Sequence, residues 1–403
     1  MNAIITPGVL RGQIRVPASK SVAHRLLIAA ALSDRPTDIL LDQSNADIDA
    51  TVRCLNALGT HINRLENRFS VEPITRVGSE KCILNCGESG STLRFLLPIC
   101  AALGANARLE GTGRLPERPN APLTEAMCAH GIIASSDCVP IELSGKLRGG
   151  AYTIAGNISS QYITGLLMAL PVCDEDSVLT LTTPLESASY VNITLHVLKL
   201  FGIEIIPTSH GWRIPGGQRY HTPEQVTVEG DWSSAAFWLA ANAMGNEIHC
   251  AGLVDESRQG DRKMRELLND LGGTIEVSDT PDLVPALAIA ASVYEGTTVI
   301  IGAGRLRIKE SDRLRAIFDL LTSLGGCCEE RRDGLIISGK PILRGGKVEG
   351  YNDHRIVMAA AIAATRCEQP VIITDAHAVQ KSYPTFWEQY ALLGGNVHVE
   401  PHR

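Results

Sequence analysis

Eight cations of this chain stand where a positive charge is unwelcome. Lys20, Arg25, Arg94, Arg118, Lys309, Arg313, Arg355 and Lys381 all lie at or beside segments whose apolar spacing predicts the start of a helix. A helix start is already electropositive, so an unpaired basic side chain there costs roughly a few tenths of a kcal/mol. With an anion present the same placement becomes a binding surface, made of free N–H groups and added charge. The chemistry implied is the grip of phosphate or carboxylate groups. Several such groups are implied, because the cations come from both halves of the chain.

Carboxylates sit among these cations. Glu310 lies between Lys309 and Arg313, Asp353 precedes His354 and Arg355, and Asp282 is expected to cap a predicted helix. Each either holds basic side chains apart as an ion pair or moves a proton, since a carboxyl beside substrate anions is pushed up toward the working range. His24 and His354 are further candidates for proton transfer. Ser, Asp, Asn and Gly at these helix starts also have a plainer role as caps. The glycines of "GESGS" let backbone approach a ligand. No GxxxxGK[ST] occurs and no GxGxxG follows a strand, so a nucleotide-binding loop is not supported. "GTGRLPERP" begins like a glycine loop, but Pro116 and Pro119 favour a turn.

Composition sets the frame. With 403 residues, 44% of them hydrophobic and 20% charged, the chain can build two or three cores. A net charge of −7 and a pI near 5.9 exclude a bulk electrostatic footprint for nucleic acid or an anionic membrane. Apolar runs such as Leu26 to Leu32 are far short of the roughly 20 residues of a membrane span. The N-terminus shows no long apolar stretch and no cleavage pattern, which argues against secretion and for a cytoplasmic protein. Eleven cysteines without CxxC pairs read as reduced core thiols, with no metal or disulfide framework.

The elements that must position the cations form a repeat. An amphipathic helix, a glycine stop and a short β-like run recur six times, with glycines at Gly59, Gly131, Gly202, Gly273, Gly326 and Gly395. These glycines are expected to adopt the left-handed conformation that ends a helix. Between them run six helices apolar on almost every face, such as "LLIAAAL" and "RIVMAAAIAA", which must be buried all round. The spacings are 72, 71, 71, 53 and 69, so one interval is short. The loss falls between Gly273 and Asp282 and amounts to about two short strands and their turn. Six units group naturally as three plus three.

Seven stretches, in order, carry a resemblance: "PASKSVAHR", "GESGSTLR", "LPERP", "SSQYITGLLMALP", "VEGDWSSAAF", "IKESDRL" and "YNDHRIVMA". The chain resembles the enolpyruvyl transferases over nearly its whole length. The resemblance implies an α/β fold: a two-domain inside-out α/β barrel of six βαβαββ-type units, the fifth shortened, with buried helices and solvent-facing sheets. The first domain would span 18–230 and the second 1–17 plus 231–403, with the active site in the cleft between them. The implied reaction moves the enolpyruvyl group of phosphoenolpyruvate to the 5-hydroxyl of 3-phosphoshikimate, in a monomer that needs no metal or organic cofactor.

By motif position, 3-phosphoshikimate would meet Lys20, Ser21, Arg25, Ser159, Ser160, Gln161, Ser187, Tyr190, Asp282 and Lys309. Phosphoenolpyruvate would meet Lys20, Gly90, Arg118, Gln161, Arg313, Arg355 and Lys381. Asp282 would act as base, Glu310 as proton donor, and Lys20 and Lys381 as stabilisers of developing charge. Because the strands leading into Asp282 are missing, Asp279 competes with it for the role of base. Two alternatives remain. A UDP-N-acetylglucosamine enolpyruvyl transferase would carry a cysteine in the loop here reading "GTGRLPERP" and Lys-Asn where this chain has Lys20-Ser21. A non-catalytic phosphoanion-binding protein would follow if the lost strands had disabled the unit.

Overall fold

Helices without a polar face need neighbours on every side, and the chain supplies them in two sets of three. The computed structural model describes residues 1–78 and 80–400. The chain divides into two compact units, Ala18–Glu229 and a second made of Met1–Pro17 with Gly230–Arg403. Gly230 joins the second through its N–H, which donates to the Gly252 carbonyl at 3.1 Å.

In the first unit the buried helices are Lys20–Ala31, Gly90–Ala102 and Ser160–Ala169. In the second they are Trp232–Ala243, Val284–Ala291 and His354–Ala363. Each set lies in its own apolar core, where every sealed Leu or Ile contributes roughly 1.5–3 kcal/mol. Small residues let these helices close up. A Cβ on Gly165 would come within 2.4 Å of the Arg94 carbonyl, which brings the Ser160 and Gly90 helices together.

Sheets cover the helices. In five of the six, a parallel pair is followed by two antiparallel strands. Cys82–Asn85 runs parallel to Ala107–Glu110 with the Gly90–Ala102 helix as crossover, then Ile141–Gly145 and Ile132–Ala134 add antiparallel. A parallel pair needs such a crossover, whereas the antiparallel pair needs only a hairpin. Strand burial alternates, as in Gly150–Ile154, so one sheet face meets helices and the other meets solvent. The architecture is the inside-out α/β barrel, in which helices fill the inside.

Among the described residues the sixth sheet has two strands, Arg11–Arg15 parallel to Glu247–Ala251. Its antiparallel hairpin is the piece lost from the short interval. After Gly272 the chain enters Thr274–Glu276 directly, and that strand already opens the next sheet beside Thr297–Ile301. The bared edge of Glu247–Ala251 is partly closed by a side chain. Glu247 N–H donates to Leu10 O and Ala251 O accepts from Val16 N–H, so the peptide groups of Ile248 face the other way. There Ile248 N–H donates to Asn242 Oδ1 and Asn242 Nδ2 donates to Ile248 O, both at 2.8 Å. One amide makes the two bonds a neighbouring strand would make.

Two sequence expectations need correction. At the paired glycines the left-handed residue is the first one, Gly272, Gly325 or Gly394, not Gly273, Gly326 or Gly395. The helix ends one residue earlier, and the second glycine answers to crowding: a Cβ on Gly395 would lie 2.3 Å from the Tyr390 ring. The cysteines are free among the described residues, but Cys128, Cys138 and Cys327 are exposed and are not core thiols. Among the described residues no helix is long and apolar enough to cross a membrane.

Asn242→Ala leaves the Ile248 peptide groups without their partner. It is expected to lower unfolding stability by about 1–3 kcal/mol in urea titration, whereas Asn242→Gln is expected to recover part of the loss.

Candidate active site

In the Ala18–Glu229 unit, several helix starts are tied together by side chains. Lys20, at the start of its helix, donates to Asp47 Oδ2 at 2.8 Å. One turn on, His24 Nδ1 lies 2.7 Å from Thr51 Oγ1, which lies 2.7 Å from Thr92 Oγ1 on the Gly90 helix. Burial, then Lys20 and Arg25, hold the His24 imidazole well below its usual range, so it is neutral. It serves as a strut between helices, and a proton-carrying role is not supported.

Arg25 is a buried cation, 2% exposed, and its hydrogen-bond partners are neutral. Its guanidinium donates to Thr194 Oγ1 at 2.8 Å, Thr164 Oγ1 at 3.3 Å, Tyr190 O at 3.1 Å and Ser21 O at 2.6 Å. Among the described residues no carboxylate pairs with it, and burial pulls it down to about 9. A desolvated cation at a helix start, held by hydroxyls and carbonyls, is suited to a bound anion.

Arg118 lies against the start of the Gly90 helix: a Cβ at Gly90 would fall 2.7 Å from Arg118 Nη1, so a larger residue there would have to displace the guanidinium. Arg118 ends the 3-10 turn Leu115–Glu117, which Pro116 shapes as expected. Ser159 caps the third buried helix by accepting Gln161 N–H, and Ser160 is its first residue. Gln161 bridges, donating to Ser91 Oγ at 2.9 Å and accepting from Arg94 Nη1 at 2.7 Å. Ser187 sits at φ 55° ahead of the Ala188–Leu200 helix, and its carbonyl accepts Tyr190 N–H.

The second unit gathers its charges around Arg313, which is 1% exposed. Its Nε donates to Asp353 Oδ2 at 2.8 Å, its Nη1 to Asp282 Oδ1 at 2.9 Å and its Nη2 to Glu310 Oε2 at 2.8 Å. Asp282 also meets Arg355 Nη2 at 3.2 Å and Lys309 Nζ at 3.5 Å. Burial pushes the Asp282 carboxyl up, but Arg355, then Lys309 and Arg313, reverse this and hold it well below the usual carboxylate range. Asp282 is therefore ionised. It does not cap the following helix, contrary to the sequence expectation. Pro281 opens a 3-10 turn, Pro281–Leu283, that aims its side chain at the cations. Asp279 lies half-buried in the preceding turn.

Asp353 is a structural carboxylate. It caps its helix by accepting Arg355 N–H and also accepts from Ser311 Oγ, both at 2.9 Å. Burial opposes its charge, but Arg313 and then His354 together outweigh burial and keep the carboxyl below its ordinary value. His354 Nδ1 is 3.8 Å from Asp353 Oδ1. Lys381 ends the 3-10 stretch Ala376–Lys381 and donates to the Asn352 carbonyl, one residue before Asp353. Asp47 and Asn120, whose Oδ1 accepts from Arg94 Nε at 3.0 Å, take part in these networks without having been singled out in the sequence. Asp47 had a signal, since it lies in the first turn of a helix whose neighbour begins with Lys20.

Comparison with known proteins follows this geometry. The fold is that of the enolpyruvyl transferases. The EPSP synthase of Acinetobacter baumannii superposes with a TM-score of 0.82 at 25% identity, covering 99% of this chain and 100% of that one. The enolpyruvyl transferase NikO of Streptomyces tendae matches in fold, with a TM-score of 0.78 at 18% identity over 100% and 99% of the two chains. Residues 4–390 match the family profile described as EPSP synthase (3-phosphoshikimate 1-carboxyvinyltransferase). The 3-phosphoshikimate 1-carboxyvinyltransferase of Clostridium kluyveri is 42% identical over 98% of this chain and 97% of its own. That of Clostridium acetobutylicum is 40% identical over 99% of both. The chain belongs to the EPSP synthase family.

Two outcomes are expected of the charged core. Asp353→Ala removes one of the three carboxylates that hold the buried Arg313 guanidinium and should cost about 3–5 kcal/mol in denaturant unfolding. The depressed carboxyls of Asp282 and Asp353 contribute stability that is present above the ordinary carboxylate value, near ~4, and is lost as pH falls through their lower values. Unfolding free energy measured against pH should fall steeply below about pH 4, and Asp353→Asn should flatten that fall.

Proposed function

We infer that this chain transfers the enolpyruvyl group of phosphoenolpyruvate to the 5-hydroxyl of 3-phosphoshikimate, releasing phosphate, as a cytoplasmic monomer of the shikimate pathway. The observation that carries the reading is the Asp282 carboxylate, ionised and ringed by Arg313, Arg355 and Lys309, with Glu310 on the same arginine. Family membership supports the substrates.

Two steps follow for the chain's residues. The 5-hydroxyl oxygen bonds to C2 of phosphoenolpyruvate and its proton passes to Asp282, while Glu310 delivers a proton to the methylene carbon. This gives a tetrahedral intermediate whose charge Lys20 and Lys381 stabilise. Loss of the phosphate group from C2, with the hydroxyl proton passing from Asp282 to the departing phosphate or to solvent, and of a proton from the methyl carbon back to Glu310 restores the double bond and both carboxyl groups. The buried Arg25, with Ser21, Ser159, Ser160, Gln161, Ser187, Tyr190 and Lys309, suits 3-phosphoshikimate. Arg118 over Gly90, with Arg313, Arg355 and Lys381, suits the phosphate and carboxylate of phosphoenolpyruvate. Arg313 and Arg355 serve both a carboxylate and an incoming anion. Anions that draw these arginines away from Asp282 leave it a stronger base.

A phosphate-release assay with both substrates tests the reading. Asp282→Ala is expected to lower kcat by about 10²–10⁴-fold while Asp279→Ala retains most activity; the reverse ranking would assign the base to Asp279. Phosphate released only with UDP-N-acetylglucosamine as acceptor, or binding of both substrates without turnover, would overturn the proposed activity.

A further inference from the structure

The two chain segments that carry Asp353 and Lys381 are clamped together just before they part, and no step above uses the clamp. The strand Gly346–Val348 runs parallel to Val371–Ile373. Beyond the pair the chains stay tied, Thr374 N–H donating to Val348 O at 3.0 Å and Gly350 N–H to Thr374 Oγ1 at 2.9 Å. A Cβ on Gly350 would lie 2.2 Å from Thr374 O, so the backbones are closely packed. The next tie is the Asp375 carboxylate, whose Oδ2 accepts Asn352 N–H at 2.9 Å. From there one chain enters the His354–Ala363 helix through Asp353, and the other enters the 3-10 stretch Ala376–Lys381.

Both sides of this tie are bent against their preference. Tyr351 and Asn352 are left-handed in succession, with φ 53° and 49°, and Asp375 has φ 52°. A residue with a Cβ adopts that conformation at a cost, and stays there when its surroundings hold it. For Asn352 one such hold is the charge-assisted bond to Asp375. Tyr351 is held through its hydroxyl, which donates to Asp319 Oδ2 at 2.7 Å, and the Asp375 carbonyl accepts Ala378 N–H at 2.8 Å. The Asn352 carbonyl, aimed by this conformation, accepts from the buried Lys381 Nζ at 2.5 Å. Asp375 therefore acts at both ends of one loop: it opens the stretch that carries Lys381, and its carboxylate sets the segment on which the ammonium rests.

We propose that Asp375 is a positioning residue for the transfer reaction: its carboxylate holds Asn352 in the left-handed conformation, and the Asn352 carbonyl then fixes the Lys381 ammonium. The proposal rests on the role given above to Lys381 as a stabiliser of developing charge. Asp375 acts through Asn352 and Lys381.

The test is steady-state phosphate release with both substrates, on variants shown by circular dichroism to be folded at the assay temperature. Asp375→Ala should lower kcat about ten- to a hundredfold, while the KM for 3-phosphoshikimate stays within about twofold of wild type. Asp375→Asn keeps an oxygen at the accepting position and should recover at least about half of that loss on a logarithmic scale. In a Lys381→Ala background, adding Asp375→Ala should lower kcat by no more than about twofold, because the group it serves is gone. A folded Asp375→Ala with wild-type kcat, a parallel rise in the KM of both substrates, an Asn variant no better than the Ala one, or losses that multiply in the double variant overturn the proposal. Should Asp375→Ala fail to fold, Asp375→Glu reads the same contact by moving the acceptor one methylene along. A lowered kcat with the KM for 3-phosphoshikimate unchanged is then expected, and a wild-type kcat overturns the proposal. Lys381→Ala as active as wild type would remove the role given to Lys381 and the proposal with it. An enzyme that depends on Lys381 but is indifferent to Asp375 would remove the proposal alone.

Discussion

One guanidinium organises the second unit. Arg313 is almost wholly buried, and its three nitrogens reach Asp353, Asp282 and Glu310. Taking an ion from water into a protein interior costs several kcal/mol, so such a group persists only when geometry returns that energy. Here the geometry draws on three places in the sequence: the turn before one buried helix, the cap of another and the loop just ahead of Arg313. The placement of Asp282, the cap at Asp353 and the seat of Glu310 are therefore one arrangement. The first unit solves a related problem differently. Its buried cation, Arg25, rests on two threonine hydroxyls and two carbonyls. Those neutral acceptors orient the charge without neutralising it, which leaves it available to an anion.

The fold serves this electrostatics. With helices buried beneath the sheets, several helix starts of the first unit come together, as the ties from Lys20 to Asp47 and from Thr51 to the Gly90 helix show, and helix starts suit anions. At Gly90 the absence of a Cβ leaves room for the Arg118 guanidinium. The loss of a hairpin from one sheet spares this machinery. The strand Thr274–Glu276 and the turn at Pro281 still deliver Asp282 to its cations, while Asn242 supplies two of the hydrogen bonds that the hairpin would have made. The bared edge is managed locally, as natural sheets manage exposed edges.

Much of this was legible in the sequence. Helices with no polar face, such as Val284–Ala291, announce their burial through composition alone, and the 53-residue spacing located the missing strands. Two local readings failed because the sequence leaves local geometry open. Either glycine of a pair can take the left-handed turn, and a proline before Asp282 turned a presumed cap into a 3-10 turn. The pairings were illegible for another reason. Arg25 meets Thr194 across 169 residues and Arg355 meets Asp282 across 73, and the repeat, which sets where elements recur, does not say which side chains meet. Asn242 carries no motif signal, since its role exists only once a sheet edge has formed.

The central claim is that Arg313 and its carboxylates stand or fall together. A double-mutant cycle on folding stability, built from Arg313→Met, Asp353→Leu and the two combined, tests it most directly. The account predicts that each single change costs about 3–5 kcal/mol and that the double variant costs less than the sum by at least about 1.5 kcal/mol. Additive losses would contradict it, because they would mean that neither charge depends on the other for its place in the core.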